Sequence, residues 1–140
     1  MERLKHIPGD RCHACDQKLL GVHVYLREWF WDYVKPRHPE THVSCGYRGE
    51  EEQEEAFLNK RSKARWPHSR HNHLDRDGNP CSYALDLFFL TDGKASFPWN
   101  LYEAIAKECE QRGDLILWGG NFQSIKDGPH FEYAWGVKCE

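Results

Sequence analysis

One acidic residue, Asp86, lies in the middle of the apolar segment ALDLFFL at positions 84–90. A short apolar run with large side chains is typical of a strand in a hydrophobic core. An ionised carboxylate in such a strand costs several kcal/mol unless a metal ion, a cation or hydrogen-bond donors compensate it. The segment therefore predicts a core strand whose carboxylate binds a metal ion or is paired. A buried aspartate with neutral hydrogen-bond partners is the alternative.

The remaining pattern predicts helices early in the chain and strands late. Apolar residues at helical spacing indicate a helix over 16–34, which Pro36 ends. Acidic residues in a first turn indicate a second helix over 50–61. A third is expected over 101–112, with an Asn-x-x-Glu capping box before it and a glycine after it.

Strands are expected at four places, and a long loop precedes the second of them. The chain shows no alternation of strands and helices of the kind that builds a parallel sheet. The predicted class is therefore α+β, with a small antiparallel sheet packed against helices and an N-terminal helical extension. The expected strands cover 41–48, 84–90, 115–118 and 130–135, and the loop covers 62–83.

Length, composition and charge exclude several classes of protein. A chain of 140 residues fits one domain, and its net charge of -3 lacks the basic excess of a general nucleic-acid binder. No apolar run approaches the roughly 18 residues that span a bilayer, so no membrane insertion is expected. Residues 1–17 contain no apolar signal region, so we expect synthesis in the cytoplasm without a signal peptide.

The chain contains six cysteines, and in a cytoplasmic product these indicate thiols or metal ligands rather than a disulfide framework. Cys12-x-x-Cys15, together with His13 and His23, could form half of a structural zinc site. Because the sequence offers no second CxxC pair, a plain pair of thiols is the preferred interpretation. Cys45 is interpreted as a small core residue.

Two further segments carry residue types that bind metals. Asp127 precedes His130 by three residues at the start of the last predicted strand, and the upstream loop contains the cluster Ser69-Arg-His71-Asn-His73. Two histidines and one carboxylate leave a zinc ion one position for water, as a hydrolytic site requires. A nearby carboxylate that is not a ligand can accept and return a proton. A merely solvated polar loop is the alternative for the upstream histidines.

Five short motifs occur along the chain: Gly46-Tyr47-Arg48, Ser69-x-His71, Ala84-x-Asp86, Trp118-Gly-Gly-Asn-Phe122 and Asp127-x-x-His130-Phe-Glu. In this order they resemble the LAS or M15-type zinc peptidases. That family contains D-Ala-D-Ala carboxypeptidases and the L-alanyl-D-glutamate endopeptidases of phage endolysins. The resemblance covers roughly residues 42–135, whereas residues 1–40 match no motif of the family.

The resemblance implies a role for each matching residue. His71, Asp86 and His130 correspond to the zinc ligands, and Asp127 corresponds to the catalytic acid/base. Arg48 matches the arginine that steadies the substrate carbonyl or carboxylate, which its charge also favours.

Two further residues are implied to bind substrate: Ser69, beside the first ligand, and Trp118, in the segment that shapes the cleft wall. The chain departs from the family pattern between His71 and Asp86, where a segment at roughly 74–81 is inserted. The insertion leaves His73 as an alternative to His71, and it could narrow the cleft or act as a lid.

The implied function is zinc-dependent hydrolysis of peptidoglycan stem peptides, with the L-Ala-D-Glu bond favoured and D-Ala-D-Ala second. We expect a monomeric phage or prophage lysis enzyme that reaches the cell wall through a holin-type pore. The chain is expected to form one domain over 1–140, with an extension over 1–40 and a catalytic core over 41–140. The alternative is a non-catalytic zinc-containing module of the same fold, for wall binding or virion assembly. Asp127 argues for the enzyme, because a module without turnover needs no carboxylate there.

Overall fold

The fold is known from a computed structural model, which describes residues 12–123 and 126–134. Within these ranges no helix is both long and apolar enough to cross a membrane. The elements in chain order are α1 (His13–Lys18), α2 (Val24–Trp29), a π-turn (Phe30–Val34), α3 (Lys35–Arg37), β1 (Thr41–Cys45), α4 (Glu50–Leu58), a 3-10 turn (Arg70–Asn72), β2 (Ala84–Thr91), β3 (Lys94–Ser96), α5 (Trp99–Arg112), β4 (Ile116–Trp118), a second 3-10 turn (Gly119–Asn121) and β5 (His130–Tyr133).

The strands form one antiparallel sheet in the order β1-β2-β5-β4, and β3 pairs with the outer end of β2. The predicted α+β class is confirmed. Strand β3 was not predicted; it arises because Asp92 and Gly93 adopt positive φ angles of 52° and 78° and turn the chain back on itself.

The core lies on one face of this sheet. Leu85, Leu87 and Phe89 of β2 are each 0% exposed, and they pack with side chains from α1, α2, the π-turn and α5. Because side chains alternate along a strand, Asp86 points to the opposite face. The predicted strand is therefore present, but its carboxylate avoids the apolar core and faces a second, polar layer.

The single helix predicted over 16–34 is wrong, because the chain leaves the helical path after Lys18. Gly21 accepts a hydrogen bond from the backbone N–H of Ser82 at 2.7 Å, and His23 donates to the Ser82 carbonyl at 2.9 Å. A side chain at Gly21 would place its Cβ 2.8 Å from the Cβ of Tyr47, so only glycine permits this approach. Pairing with the distant loop thus overrides the local helical pattern.

Pro36 does not end the helical segment, which continues to Arg37. The π-turn immediately before it changes the backbone hydrogen-bond pattern, and a residue without an N–H is tolerated at that position. The side chains of this N-terminal part, including Leu26, Trp29 and Phe30, share one core with the sheet. The boundary proposed at residue 40 stays a prediction.

The last predicted helix ends as expected at Gly113, whose φ of 76° suits glycine. It begins earlier than predicted, because Pro98 rather than Asn100 is its N-cap. Trp135, which was placed at the end of the last strand, lies outside the described residues.

Candidate active site

Asp86 is the centre of a polar cluster on the open face of the sheet. It is the register partner of His130 in the antiparallel pair of β2 and β5. Its Oδ1 lies 3.2 Å from Nδ1 of His130 and 3.4 Å from Nε2 of His71. One carboxylate oxygen therefore contacts both histidines that were predicted as ligands, one from each side.

His71 is held by the first 3-10 turn. Ser69 caps this turn, because its Oγ accepts a hydrogen bond from the backbone N–H of His71 at 3.1 Å. The His71 ring bonds through Nδ1 to the carbonyl of Gly46 at 2.7 Å, and a carbonyl oxygen can only accept, so the proton is on Nδ1. Once the ring is neutral, Nε2 on the side facing Asp86 can act as a ligand.

His130 is oriented from its other nitrogen. Nε2 lies 2.8 Å from Oε1 of Glu132, and that carboxylate is 3.7 Å from Nε of Arg70. Glu132 is only 7% exposed, so its contact with the imidazole is shielded from solvent. A carboxylate behind a histidine is the usual support of a metal ligand, and it leaves Nδ1 directed at Asp86.

Asp127 enters the cluster on the loop that precedes β5. Its backbone N–H donates to the carbonyl of Gly119 at 3.0 Å. A Cβ on Gly119 would lie 2.2 Å from the Asp127 carbonyl oxygen and 2.9 Å from Cβ of His130, so glycine is required there. Burial and the negative charge of Asp86 raise the pKa of Asp127 above its ordinary value. The carboxyl is thereby moved towards the range in which a proton carrier works.

The Asp86 carboxylate favours the protonated form of the two histidines beside it. Burial lowers the pKa of both histidines, but the Asp86 carboxylate outweighs this effect, together with Glu132 at His130, and the pKa values rise to about 10 in His71 and about 9 in His130. Burial raises the pKa of Asp86, whereas the two histidines hold it well below its usual range. At neutral pH the metal-free cluster therefore holds protons on both imidazoles.

The residues present fit a zinc ion. Nε2 of His71 is buried, and in the described part of the chain its contact with Oδ1 of Asp86 at 3.4 Å is an ion pair without hydrogen-bond geometry, although a buried ring nitrogen is normally hydrogen-bonded. Two imidazoles and one carboxylate are also the ligand types of hydrolytic zinc sites. Two groups with ligand atoms within 4.8 Å of one another share Asp86: Cys45, His71 and Asp86, and Asp86, Asp127 and His130.

His73 is placed elsewhere. Its Nδ1 lies 3.1 Å from the carbonyl oxygen of Cys81, and its ring stacks on Tyr83 at 3.7 Å between centroids. The structure thus brings His71, and not His73, to Asp86.

The two residues predicted to bind substrate have structural contacts. Ser69 borders the cleft and also caps the turn of His71. Trp118 is 6% exposed, packs on Trp99 and donates its indole N–H to the carbonyl of Gly128 at 2.7 Å. It thereby fixes the loop that carries Asp127, and a direct role of either residue in binding stays a prediction.

Arg48 lies beside Asp86 and is firmly held. One guanidinium nitrogen is 3.7 Å from Oδ2 of Asp86, and another donates to Oε1 of Gln53 at 3.0 Å. Asn72 in turn donates to Gln53 and to the Arg48 carbonyl. Arg48 is therefore fixed by a hydrogen-bond network that also contains Asn72, the residue after His71.

A cleft of about 470 Å³ opens over this cluster, and His71, Asp127 and His130 lie in its wall. Its lining is strongly cationic, which the sequence did not reveal because the residues come from distant segments. An anionic ligand is therefore favoured electrostatically. The cationic side chains are Arg48, Arg61, Lys63, Arg70 and Lys126.

The sequence-based prediction missed two residues of the site, Cys45 and Glu132. Cys45, interpreted as a core residue, is partly exposed, and its Sγ lies 3.8 Å from Nδ1 of His71. Glu132 was noted only as part of a motif. Glu132 lies two residues after His130 on a predicted strand, and residues two apart on a strand share a face. Its position beside His130 could therefore have been predicted.

Comparisons with known proteins agree with this geometry. No protein-family model matches the chain, and no curated protein sequence matches it. Among solved structures, the L-Ala D-Glu endopeptidase ChiX of Serratia marcescens matches with a TM-score of 0.70 and 25% sequence identity. The match covers 98% of this chain and 99% of that chain. The chain therefore has the fold of an L-Ala D-Glu endopeptidase, and its resemblance to the LAS/M15-type peptidases is confirmed.

Proposed function

We propose that this protein is a zinc-dependent peptidase that hydrolyses peptidoglycan stem peptides, with the L-Ala-D-Glu bond as its first target and D-Ala-D-Ala as its second. The observation that carries the proposal is the contact of one Asp86 oxygen with nitrogens of both His71 and His130. The shared fold with an L-Ala D-Glu endopeptidase supports the reaction class and the bond.

The hydrogen bonds of the inferred ligands support metal binding. His71 would use Nε2, since its Nδ1 bonds to Gly46, and His130 would use Nδ1, since its Nε2 bonds to Glu132. Asp86 would supply Oδ1. When bound, zinc supplies a Lewis acid that polarises a peptide carbonyl and lowers the pKa of water.

Asp127 is proposed to carry the proton. Its carboxylate takes a proton from the attacking water and returns it to the nitrogen of the leaving amine, so that no free amide anion forms. The raised pKa of Asp127 favours both halves of this cycle near neutral pH. Arg48 is proposed to donate hydrogen bonds to the carbonyl oxygen as negative charge develops on it.

The cationic cleft supports an acidic peptide as substrate. Glutamate has two carboxyl groups, and a peptide chain continues through only one of them, so the D-glutamate of an L-Ala-D-Glu bond can carry a negative charge. The cationic side chains of the cleft wall, Arg48 and Arg70 among them, match that charge.

The cellular role is a further part of the proposal and rests on the family resemblance. A monomeric phage or prophage lysis enzyme, made in the bacterial cytoplasm and released through a holin-type pore, would meet its substrate at the wall.

Replacing Glu132 by glutamine is expected to weaken zinc binding about 10–100-fold, because an amide orients the His130 ring less firmly than a carboxylate. Competition with a chelating dye measures the affinity. Glu103→Gln, on α5 outside the cluster, is the matched control and should bind zinc like the wild type. Equal affinities for both variants would contradict the role of Glu132.

Zinc affinity is expected to rise with pH. In the metal-free site the pKa values of His71 and His130 are raised to about 10 and about 9, so both rings hold a proton at pH 6–8. Both must lose it to bind zinc, so binding releases about two protons and the affinity rises roughly 100-fold per pH unit in this range. Calorimetry in buffers of different ionisation enthalpy counts these protons. Zinc uptake without proton release would contradict the ligand assignment.

The experiment that tests the proposed function is incubation of the zinc-loaded protein with purified peptidoglycan, followed by an assay for new amino groups. Zinc-dependent release of amines supports a peptidase. Tight binding to the wall without amine release would instead support the non-catalytic module.

A further inference from the structure

Cys12 and Cys15 gain a third polar neighbour that their sequence context does not reveal. Neither histidine near them in the sequence joins the two thiols. His13 is exposed, and Nδ1 of His23 accepts a hydrogen bond from the backbone N–H of Tyr25. Instead, Nδ1 of His42 on β1 lies 3.3 Å from Sγ of Cys12 and 3.6 Å from Sγ of Cys15.

These distances fit the spacing of ligands around a zinc ion. On a tetrahedral zinc ion with Zn–S near 2.3 Å and Zn–N near 2.0 Å, sulfur and nitrogen ligands are about 3.5 Å apart. The three ligand atoms lie within 4.8 Å of one another, and in the described part of the chain no other His, Cys, Asp or Glu joins them. We propose that Cys12, Cys15 and His42 bind a second zinc ion.

The surroundings of the sulfur atoms support this assignment. The backbone N–H of Val43 donates to Sγ of Cys15 at 3.3 Å, and that of Cys15 donates to Sγ of Cys12 at 3.2 Å. Such donors stabilise the negative charge of metal-bound thiolates and fix their positions. The His42 ring is held by stacking on Phe88, with 5.4 Å between the centroids.

The charge balance is also suitable. Two thiolates neutralise the two charges of zinc, so the ammonium of Lys35, which donates to the carbonyl of Thr41 next to His42, meets no net positive charge. Two soft thiolates and an imidazole select zinc over magnesium or calcium.

The second zinc would act as a structural clamp. It joins α1, a helix of six residues, to β1 at the edge of the sheet. A helix of that length is unstable by itself, and a structural zinc contributes directly to folding. From β1 the chain passes through Gly46 to Arg48, so the clamp would steady one wall of the active site without sharing a residue with it.

The proposal is tested by zinc content and by the absorption spectrum of the cobalt-substituted protein. The wild type should hold about two zinc ions per chain, and Cys12→Ser and His130→Ala about one each. The near-ultraviolet sulfur-to-cobalt band should persist in His130→Ala and in Cys45→Ser but disappear in Cys12→Ser. Cys81→Ser, which removes a partly buried thiol from another loop, is the matched control and should keep two zinc ions and the band. One zinc ion in the wild type, with a Cys12–Cys15 disulfide two hydrogens lighter in the mass spectrum, would overturn the proposal.

A measurement on the wild type avoids variants that fail to fold. Cadmium-113 NMR of the cadmium-loaded protein should show two resonances, one of them shifted downfield as thiolate ligands require. A single resonance at the position of nitrogen and oxygen ligands would overturn the second site while leaving the active site intact.

Discussion

Asp127→Asn is expected to lower the rate of peptide-bond hydrolysis about 10²–10⁴-fold while the zinc content stays unchanged, because general acid–base catalysis contributes on that scale. Asparagine has the size of aspartate but cannot accept the proton of the attacking water. Asp127 lies in one group with Asp86 and His130, but the proposed ligands are His71, Asp86 and His130, so its replacement should leave zinc bound. Rates on purified peptidoglycan and zinc analysis of the same sample measure the two quantities.

The matched control for this change is Asp114→Asn. Asp114 is also partly exposed, but it pairs with Arg112 at the end of α5, away from the cluster. It should retain the wild-type rate. If Asp127→Asn lost zinc and activity together, Asp127 would be a ligand; if it kept full activity, the proton would move by another route.

His71→Ala and His73→Ala are expected to have opposite results. His71→Ala should lower the zinc affinity of the active site by at least 100-fold, because losing a ligand costs more than losing a residue that only supports one, as Glu132 does. Hydrolysis should be abolished together with zinc binding. His73→Ala should retain both, because its ring stacks on Tyr83 rather than facing Asp86. Chelator competition and the peptidoglycan assay applied to both variants provide the comparison.

The reverse result, loss of zinc in His73→Ala alone, would mean that the loop after the 3-10 turn rearranges to present the other histidine. Loss in neither variant would remove this turn from the metal site altogether.

The fold class and the main strands could be predicted because their patterns are local. The apolar run around Asp86 indicated a strand, and Gly113 indicated the end of α5. The grouping of Asp86, His130 and Asp127 could also be anticipated, since a carboxylate in an apolar strand needs partners and the Asp-x-x-His motif offers them.

The features that were not predicted depend on contacts between distant segments. The break after Lys18 arises from pairing of Gly21 and His23 with Ser82, which no helical periodicity reveals. His42 meets Cys12 and Cys15 only because β1 packs beside α1. The face of the sheet on which Asp86 lies became clear only from the burial of Leu85 and Leu87 on the other face.

The central claim is that the Asp86 cluster, loaded with zinc, cuts a stem peptide bond. Mass spectrometry of purified peptidoglycan digested by the zinc-loaded protein tests it most directly, with Asp127→Asn digested in parallel. The account predicts fragments that end in L-alanine and peptides that begin with D-glutamate, from the wild type only. Loss of a terminal D-alanine would identify the second bond instead. An unchanged peptide pattern with zinc fully bound would contradict the account.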